Sequence, residues 1–215
     1  MPLLNARSAA LATTLLAATA LAASCGDSPT AAGTGALHVQ LTDAPFPYDS
    51  VQSVDVFVVR ADAKREDADS AEAAQRVGDD DRNGGGWVTI AEPKAKIELT
   101  SLRNGVTQAL GTATLPAGTY RGFRLVIDPA QSSVTLKDGT VLSGTSSPGI
   151  KFPSAGRSGV KIQLDKPVTV VEGAAGAAAP TLLIDFDLSA SFEQRGNSLA
   201  RNGLLFKPGI RASVK

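Results

Sequence analysis

The sequence predicts an all-β fold, an antiparallel β-sandwich with one insertion that is largely disordered or forms a short helix. Three observations lead there. From Ala36 onward apolar and polar residues alternate with period two, the pattern of half-buried strands. The alternating runs are short and bounded by Gly, Pro, Asn and Asp, which turn a chain. Ten or more such runs follow one another, a count that suits two packed sheets.

In chain order, the first 25 residues stand apart. MPLLNARSAALATTLLAATALAASC has one cation, Arg7, then an Ala/Leu/Thr run from Ser8 to Ala23, and no acid before Asp27. That order of charge, apolar segment and small-residue exit is a secretory signal. The run is shorter than the roughly 20 residues a membrane-spanning helix needs. Its end, Ala22-Ala23-Ser24-Cys25, resembles the lipobox of bacterial lipoproteins, although Ala22 stands where leucine is commonest and Leu21 lies one step further back. The resemblance implies that residues 1–24 are removed as a lipoprotein signal peptide and that Cys25 is acylated, anchoring the protein to a membrane through an N-terminal lipid. Gly26 in place of aspartate favours the outer membrane, facing the periplasm or the surface. Two acyl chains hold a protein stably, since each buried methylene contributes about 0.8 kcal/mol. An unpaired thiol in an oxidising compartment fits the same reading. Residues 25–35, rich in Gly, Ser, Thr, Pro and Ala, read as a flexible tether.

Removing residues 1–24 from the 215-residue chain leaves 191, ample for one core. With 21 basic and 21 acidic residues the chain is neutral, so no basic face for nucleic acid is expected. Cys25 is the single cysteine, so the sandwich domain, residues 36–215, must stand without an internal disulfide.

ALHVQLTD sets Leu37, Val39 and Leu41 against His38, Gln40 and Thr42. VQSVDVFVVR, apolar on both faces, predicts a central strand. The remaining strands are WVTIA, KIELTSL, QALGTATL, TYRGFRLVID, SSVTLKDG, TVLSG, VKIQLD, PVTVV, TLLIDFDLS and LLFKPGIRASV. Asn104-Gly105 and Asp138-Gly139 mark tight turns. An insertion is expected over residues 62–86, built around the polar stretch Lys64–Gly86 with a short helix near Ser70–Val77. GAAGAAAP, Gly173–Pro180, reads as a second loop.

Four motifs in order, LTDAP (Leu41–Pro45), LPAGTYRGFRLVID (Leu115–Asp128), DFDLSASF (Asp185–Phe192) and KPGIR (Lys207–Arg211), resemble the bacterial family called domain of unknown function 4382. The resemblance spans Gly35–Lys215. It implies a secreted or lipid-anchored β-sandwich and supplies no catalytic residue. The LPAGTY turn is also similar to that of transthyretin-like and carboxypeptidase-regulatory-like sandwiches, so an Ig-like or transthyretin-like topology is expected. The Asp79–Gly86 stretch departs from the family pattern.

Asp79, Asp81, Asn83 and Gly84 in DDDRNG fit the opening of a calcium loop, in which alternate oxygens face one ion and glycine permits the turn. A full EF-hand loop needs glutamate at position 90, which is Ile90, and Glu92 comes two residues late. A solvated acidic loop without metal is the plainer reading. Asp185 and Asp187 share one strand face, about 6.5–7 Å apart at Cα, near the carboxylate spacing of an inverting glycosidase. Pairing with a cross-strand cation such as Arg124, a bond to loop backbone, or a metal or sugar site are the other readings. Asp43, before Ala-Pro, suits a turn held by its own side chain. His38, the single histidine, has no partner for a zinc set and is expected to face solvent. Trp87, Tyr120, Phe123, Phe186 and Phe192 are expected in the core. No phosphate loop, nucleophile elbow or dinucleotide fingerprint is present.

The expectation is therefore a lipid-anchored cell-envelope protein with a binding or structural role, neither an enzyme nor cofactor-dependent, with a glycan or an envelope protein as partner. The alternative is a calcium-dependent glycan-binding or adhesion module. A glycoside hydrolase using the two carboxylates ranks last.

Overall fold

The alternation in ALHVQLTD is realised as β1 (Thr34–Ala44), with Leu37, Val39 and Leu41 fully buried and His38, Gln40 and Thr42 turned outward. The computed structural model describes residues 33–44, 49–66, 87–153 and 158–215. Within them follow β2 (Val51–Arg65), β3 (Trp87–Ala91), β4 (Ala95–Glu98), β5 (Gln108–Pro116), β6 (Gly118–Ile127), β7 (Ser133–Leu136) and β8 (Val141–Ser143). The remainder are β9 (Ile150–Lys151), β10 (Val160–Leu164), β11 (Val168–Val170), β12 (Thr181–Asp187), β13 (Phe192–Gln194), β14 (Leu204–Phe206) and β15 (Ile210–Val214). Two single-turn α-helices, α1 (Leu188–Ser191) and α2 (Leu199–Asn202), and two 3-10 turns, Leu99–Leu102 and Gly176–Ala178, complete the described part.

The protein is an all-β sandwich. One sheet runs β5-β1-β12-β15-β10, and β10 also belongs to the second, which runs on through β6-β2-β7-β8. β11 pairs with β6, while β3 and β4 pair with β2. A small third sheet is ordered β13-β14-β9. Most ladders are antiparallel as the sequence predicts. Three are parallel: β1 with β12, β10 with β15, and β14 with β9. Parallel neighbours need long connections, and the chain supplies them by building most of the second sheet between β1 and β12.

The inner faces meet over Leu37, Val39 and Leu41 of β1, Val54, Val56 and Val58 of β2, Phe123, Leu125 and Ile127 of β6, and Leu182, Ile184 and Phe186 of β12. Tyr120 is fully buried, and its hydroxyl donates to the Pro116 carbonyl at 2.8 Å, clamping the LPAGTY turn as a tyrosine corner does. Gly118 in that turn has φ +152°, and a Cβ there would come within 3.0 Å of the Arg65 guanidinium. Only glycine fits both conditions.

The Asn104-Gly105 turn forms as predicted, with φ +61° and +83° and the Val106 N–H donating to the Arg103 carbonyl. At the β7–β8 turn Gly139 alone has positive φ, +85°, and the Asp138 carboxylate accepts from the Thr140 N–H at 2.8 Å. KIELTSL is strand only to Glu98, whose side chain then accepts from the Thr100 N–H and starts a 3-10 turn. LLFKPGIRASV divides at Lys207–Gly209 into β14 and β15. β2 extends through Arg65, so residues 62–65 are strand and the insertion expected over 62–86 begins later; residues 67–86 lie outside the described residues.

Around Phe206, which is almost fully buried, the rings of Phe152, Phe192 and Phe186 sit at centroid distances of 5.1, 5.2 and 6.0 Å. This cluster fixes the small sheet to β12. Tyr120, Phe123, Phe186 and Phe192 are core residues as expected, whereas Trp87 is half-buried.

Candidate functional site

β12 alternates as the sequence predicts, with Leu182, Ile184 and Phe186 inward and Asp185 and Asp187 on the outer face. Asp43 alternates to the inner face of β1, is 6% exposed, and accepts from the Leu188 N–H at 3.3 Å. The structure therefore brings Asp185 and Asp187 to one side of the sheet and leaves Asp43 on the other. Asp187 caps α1: its Oδ1 accepts from the Ser189 hydroxyl at 2.7 Å and the Ala190 N–H at 3.0 Å. The Ser189 bond, supported by the Ala190 N–H, holds its carboxyl below the usual range. Partial burial, aided by the Asp187 charge, pushes the Asp185 carboxyl up, and Arg211 opposes that shift. Arg211 stands opposite Asp185 in the β12–β15 register, so the cross-strand cation is Arg211 and not Arg124.

These shifts have opposite signs for stability. Asp185, raised on folding, penalises the folded state above its folded pKa, and the penalty vanishes below the unfolded value of ~3.9. Solvent screens this partly exposed group, so Asp185→Asn is expected to stabilise at pH 7 by no more than about 0.5 kcal/mol, a gain that disappears in urea melts at pH 3. Asp187, lowered on folding, stabilises above its unfolded pKa and loses that contribution as pH falls through the folded value. Asp187→Ala is accordingly expected to cost about 1 kcal/mol at pH 7 through loss of the cap.

The best-connected carboxylate is one that the strand pattern misses. Asp62 is fully buried. Arg124 Nε donates to its Oδ2 at 2.7 Å, Arg60 Nε lies 3.1 Å from both oxygens, and the Thr89 hydroxyl donates to Oδ1 at 3.0 Å. The Arg124 guanidinium lies 4.5 Å from the centroid of the Trp87 ring, a cation–π contact, and its Nη2 is buried with no hydrogen-bond partner among the described residues. The residues come from β3, β2 and β6 in one cross-strand row, Thr89–Asp62–Arg124, which Lys161 of β10 continues. A register shift between Val58 and Arg60 makes the row possible. Beyond this bulge Ala61 and Ala63 turn inward and Asp62 turns outward, the reverse of simple alternation from Val58.

His38 lies on the outer face of β1, as expected, and there bridges two elements. Its Nε2 donates to the Gly176 carbonyl at 3.1 Å, and its Nδ1 meets the Thr112 hydroxyl at 2.8 Å. Among the described residues no group of three or more His, Cys, Asp or Glu side chains could hold a metal ion. Cys25, Asp79, Asp81 and Asn83 lie outside the described residues, and with them the lipid and calcium expectations.

One cleft, of about 330 Å³, opens where the β7–β8 turn faces α2. Ser50, Leu136, Lys137, Asp138, Gln194, Ser198, Leu199 and Ala200 line it. Neither Lys137 nor Asp138 enters an ion pair among the described residues.

The family model described as Domain of unknown function (DUF4382) matches residues 34–208. The chain belongs to that family. The match begins at the first residue of β1 and runs through β14, so the DUF4382 region carries both carboxylate sites and the cleft. No curated protein and no solved structure matches the chain. No helix among the described residues is long and apolar enough to cross a membrane.

Proposed function

We propose that this DUF4382 protein is a lipid-anchored module of the bacterial cell envelope, held by Cys25 in the outer membrane, that binds or scaffolds and performs no catalysis. The observation that carries the anchoring is Leu21–Cys25, a lipobox-like end to an apolar leader, followed within nine residues by the start of β1 at Thr34. The non-catalytic part is supported by the commitments of the carboxylates. Asp187 caps a helix, Asp185 faces Arg211, and Asp62 holds two arginines and a threonine. A glycan or an envelope protein is the partner class this reading predicts.

Metabolic labelling with a palmitate analogue in a Gram-negative host tests the anchor. The full chain is expected to carry label and to sediment with outer membranes, and Cys25→Ser to lose both. An unlabelled, soluble wild-type protein would overturn the reading. The calcium-dependent adhesion alternative rests on Asp79, Asp81 and Asn83. It requires a stability gain of about 2.7 kcal/mol at a hundredfold excess of calcium over Kd, abolished in Asp79→Ala/Asp81→Ala.

A further inference from the structure

The cleft beside the β7–β8 turn has a composition that selects among ligands. Its apolar part is Leu136, 3% exposed, and Leu199, 6% exposed, joined by Ala200. Around these stand an ammonium (Lys137), a carboxylate (Asp138), two hydroxyls (Ser50 and Ser198) and the Gln194 amide. A volume of about 330 Å³ falls at the small end of the range for ligand sites, roughly 300–1,000 Å³.

Lys137 and Asp138 are adjacent and opposite in charge, and the turn that carries them holds their backbone in place. The Lys137 N–H donates to the Ser50 carbonyl at 2.8 Å, the Leu136 N–H to the Thr140 carbonyl at 2.8 Å, and the Gly139 N–H to the Leu136 carbonyl at 2.9 Å. The Thr140 N–H, donating to Asp138 Oδ1, orients that carboxylate and holds its carboxyl below the usual range. Such a preformed turn lowers the ordering cost of binding.

Each simpler ligand class fails on one wall. A lone anion meets Asp138, and a lone cation meets Lys137. A hydrocarbon would use neither charge. A pyranose would have no aromatic plate to stack on among the described residues that line the cleft. We infer that the cleft binds a small zwitterion, a free α-amino acid or a short peptide, with its carboxylate on Lys137, its ammonium on Asp138 and its side chain against Leu136 and Leu199. This goes beyond the anchored-module reading and does not depend on it. Failure of palmitate labelling would leave this site untouched, and failure here would leave the anchor.

Titration calorimetry and saturation-transfer NMR on the full chain test it, with L-leucine and L-alanyl-L-leucine as zwitterions and leucinamide and N-acetyl-L-leucine as single-charge controls. At least one zwitterion is expected to bind saturably, and each control to bind at least about tenfold more weakly, the usual loss for a missing charged hydrogen bond. Lys137→Gln and Asp138→Asn are expected to weaken the zwitterion by a similar factor. Both positions are exposed, and in Asp138→Asn the new amide oxygen can still accept from the Thr140 N–H, so unchanged thermal melts will show that the turn persists. No saturable binding of either zwitterion at tens of millimolar, equal binding of the controls, or unaltered binding by both variants would each overturn the proposal.

Discussion

Asp62→Ala is expected to remove about 3–5 kcal/mol of folding stability, the loss that follows when one partner of a buried ion pair is deleted. The carboxylate is wholly out of solvent and accepts from Arg60, Arg124 and Thr89. Without it the Arg124 side chain, 9% exposed beneath Trp87, retains its charge and loses the group that offsets its desolvation. Such a loss is a large share of the roughly 5–15 kcal/mol that holds a domain of this kind together. Two further variants separate charge from packing. Asp62→Asn keeps the shape and one acceptor and is expected to cost less. Asp62→Ala/Arg124→Met removes the stranded cation and should recover part of the loss, so that the double variant loses less than the two single variants summed. Urea melts at pH 7 measure all three, and a loss under about 1 kcal/mol for Asp62→Ala would mean that water reaches the cluster.

Phe206→Ala should be comparably damaging, again about 3–5 kcal/mol, for a different reason. Phe206 is 1% exposed and stands at the centre of Phe152, Phe186 and Phe192. Truncating it opens a cavity where the small sheet meets β12. Because Phe152 and Phe192 lose the same neighbour, amide exchange in β13 and β14 is expected to accelerate more than in β1 or β2. Phe206→Leu, which keeps most of the volume, should cost less than half as much. A loss near 1 kcal/mol for Phe206→Ala, with uniform exchange, would show that the three remaining rings close the gap.

The strands were legible wherever one face is core and the other is wet. β1 and β12 follow their period-two pattern residue for residue, because each has a single inner face and no bulge that flips it. Asn104-Gly105 declared its turn through residues that accept positive φ. The pairing of strands was not legible. Nothing in ALHVQLTD or TLLIDFDLS says that they lie side by side and parallel, since that depends on how the intervening chain folds. The Asp62 cluster was hidden for a related reason. Simple alternation puts Asp62 on the same face as Val54, Val56 and Val58, and only the bulge beyond Val58 moves it outward to meet Arg124. An aspartate two residues after an arginine, between the alanines Ala61 and Ala63 of β2, was the available signal. Asp185 and Asp187 were placed correctly on one face, but whether a carboxylate caps a helix or faces an arginine is decided by neighbours remote in sequence.

The position of β15 bears on how the chain can be made. Residues 210–214 form an interior strand between β12 and β10, not an edge. A ribosome delivers them after the other described strands, and until they arrive no ladder joins β1 and β12 to the sheet that holds β6 and β2. A nonsense change near codon 209 would leave β10 and β12 as bare edges, each able to pair with another chain. Loss of so short an interior strand would then produce aggregates in place of a slightly shortened sandwich.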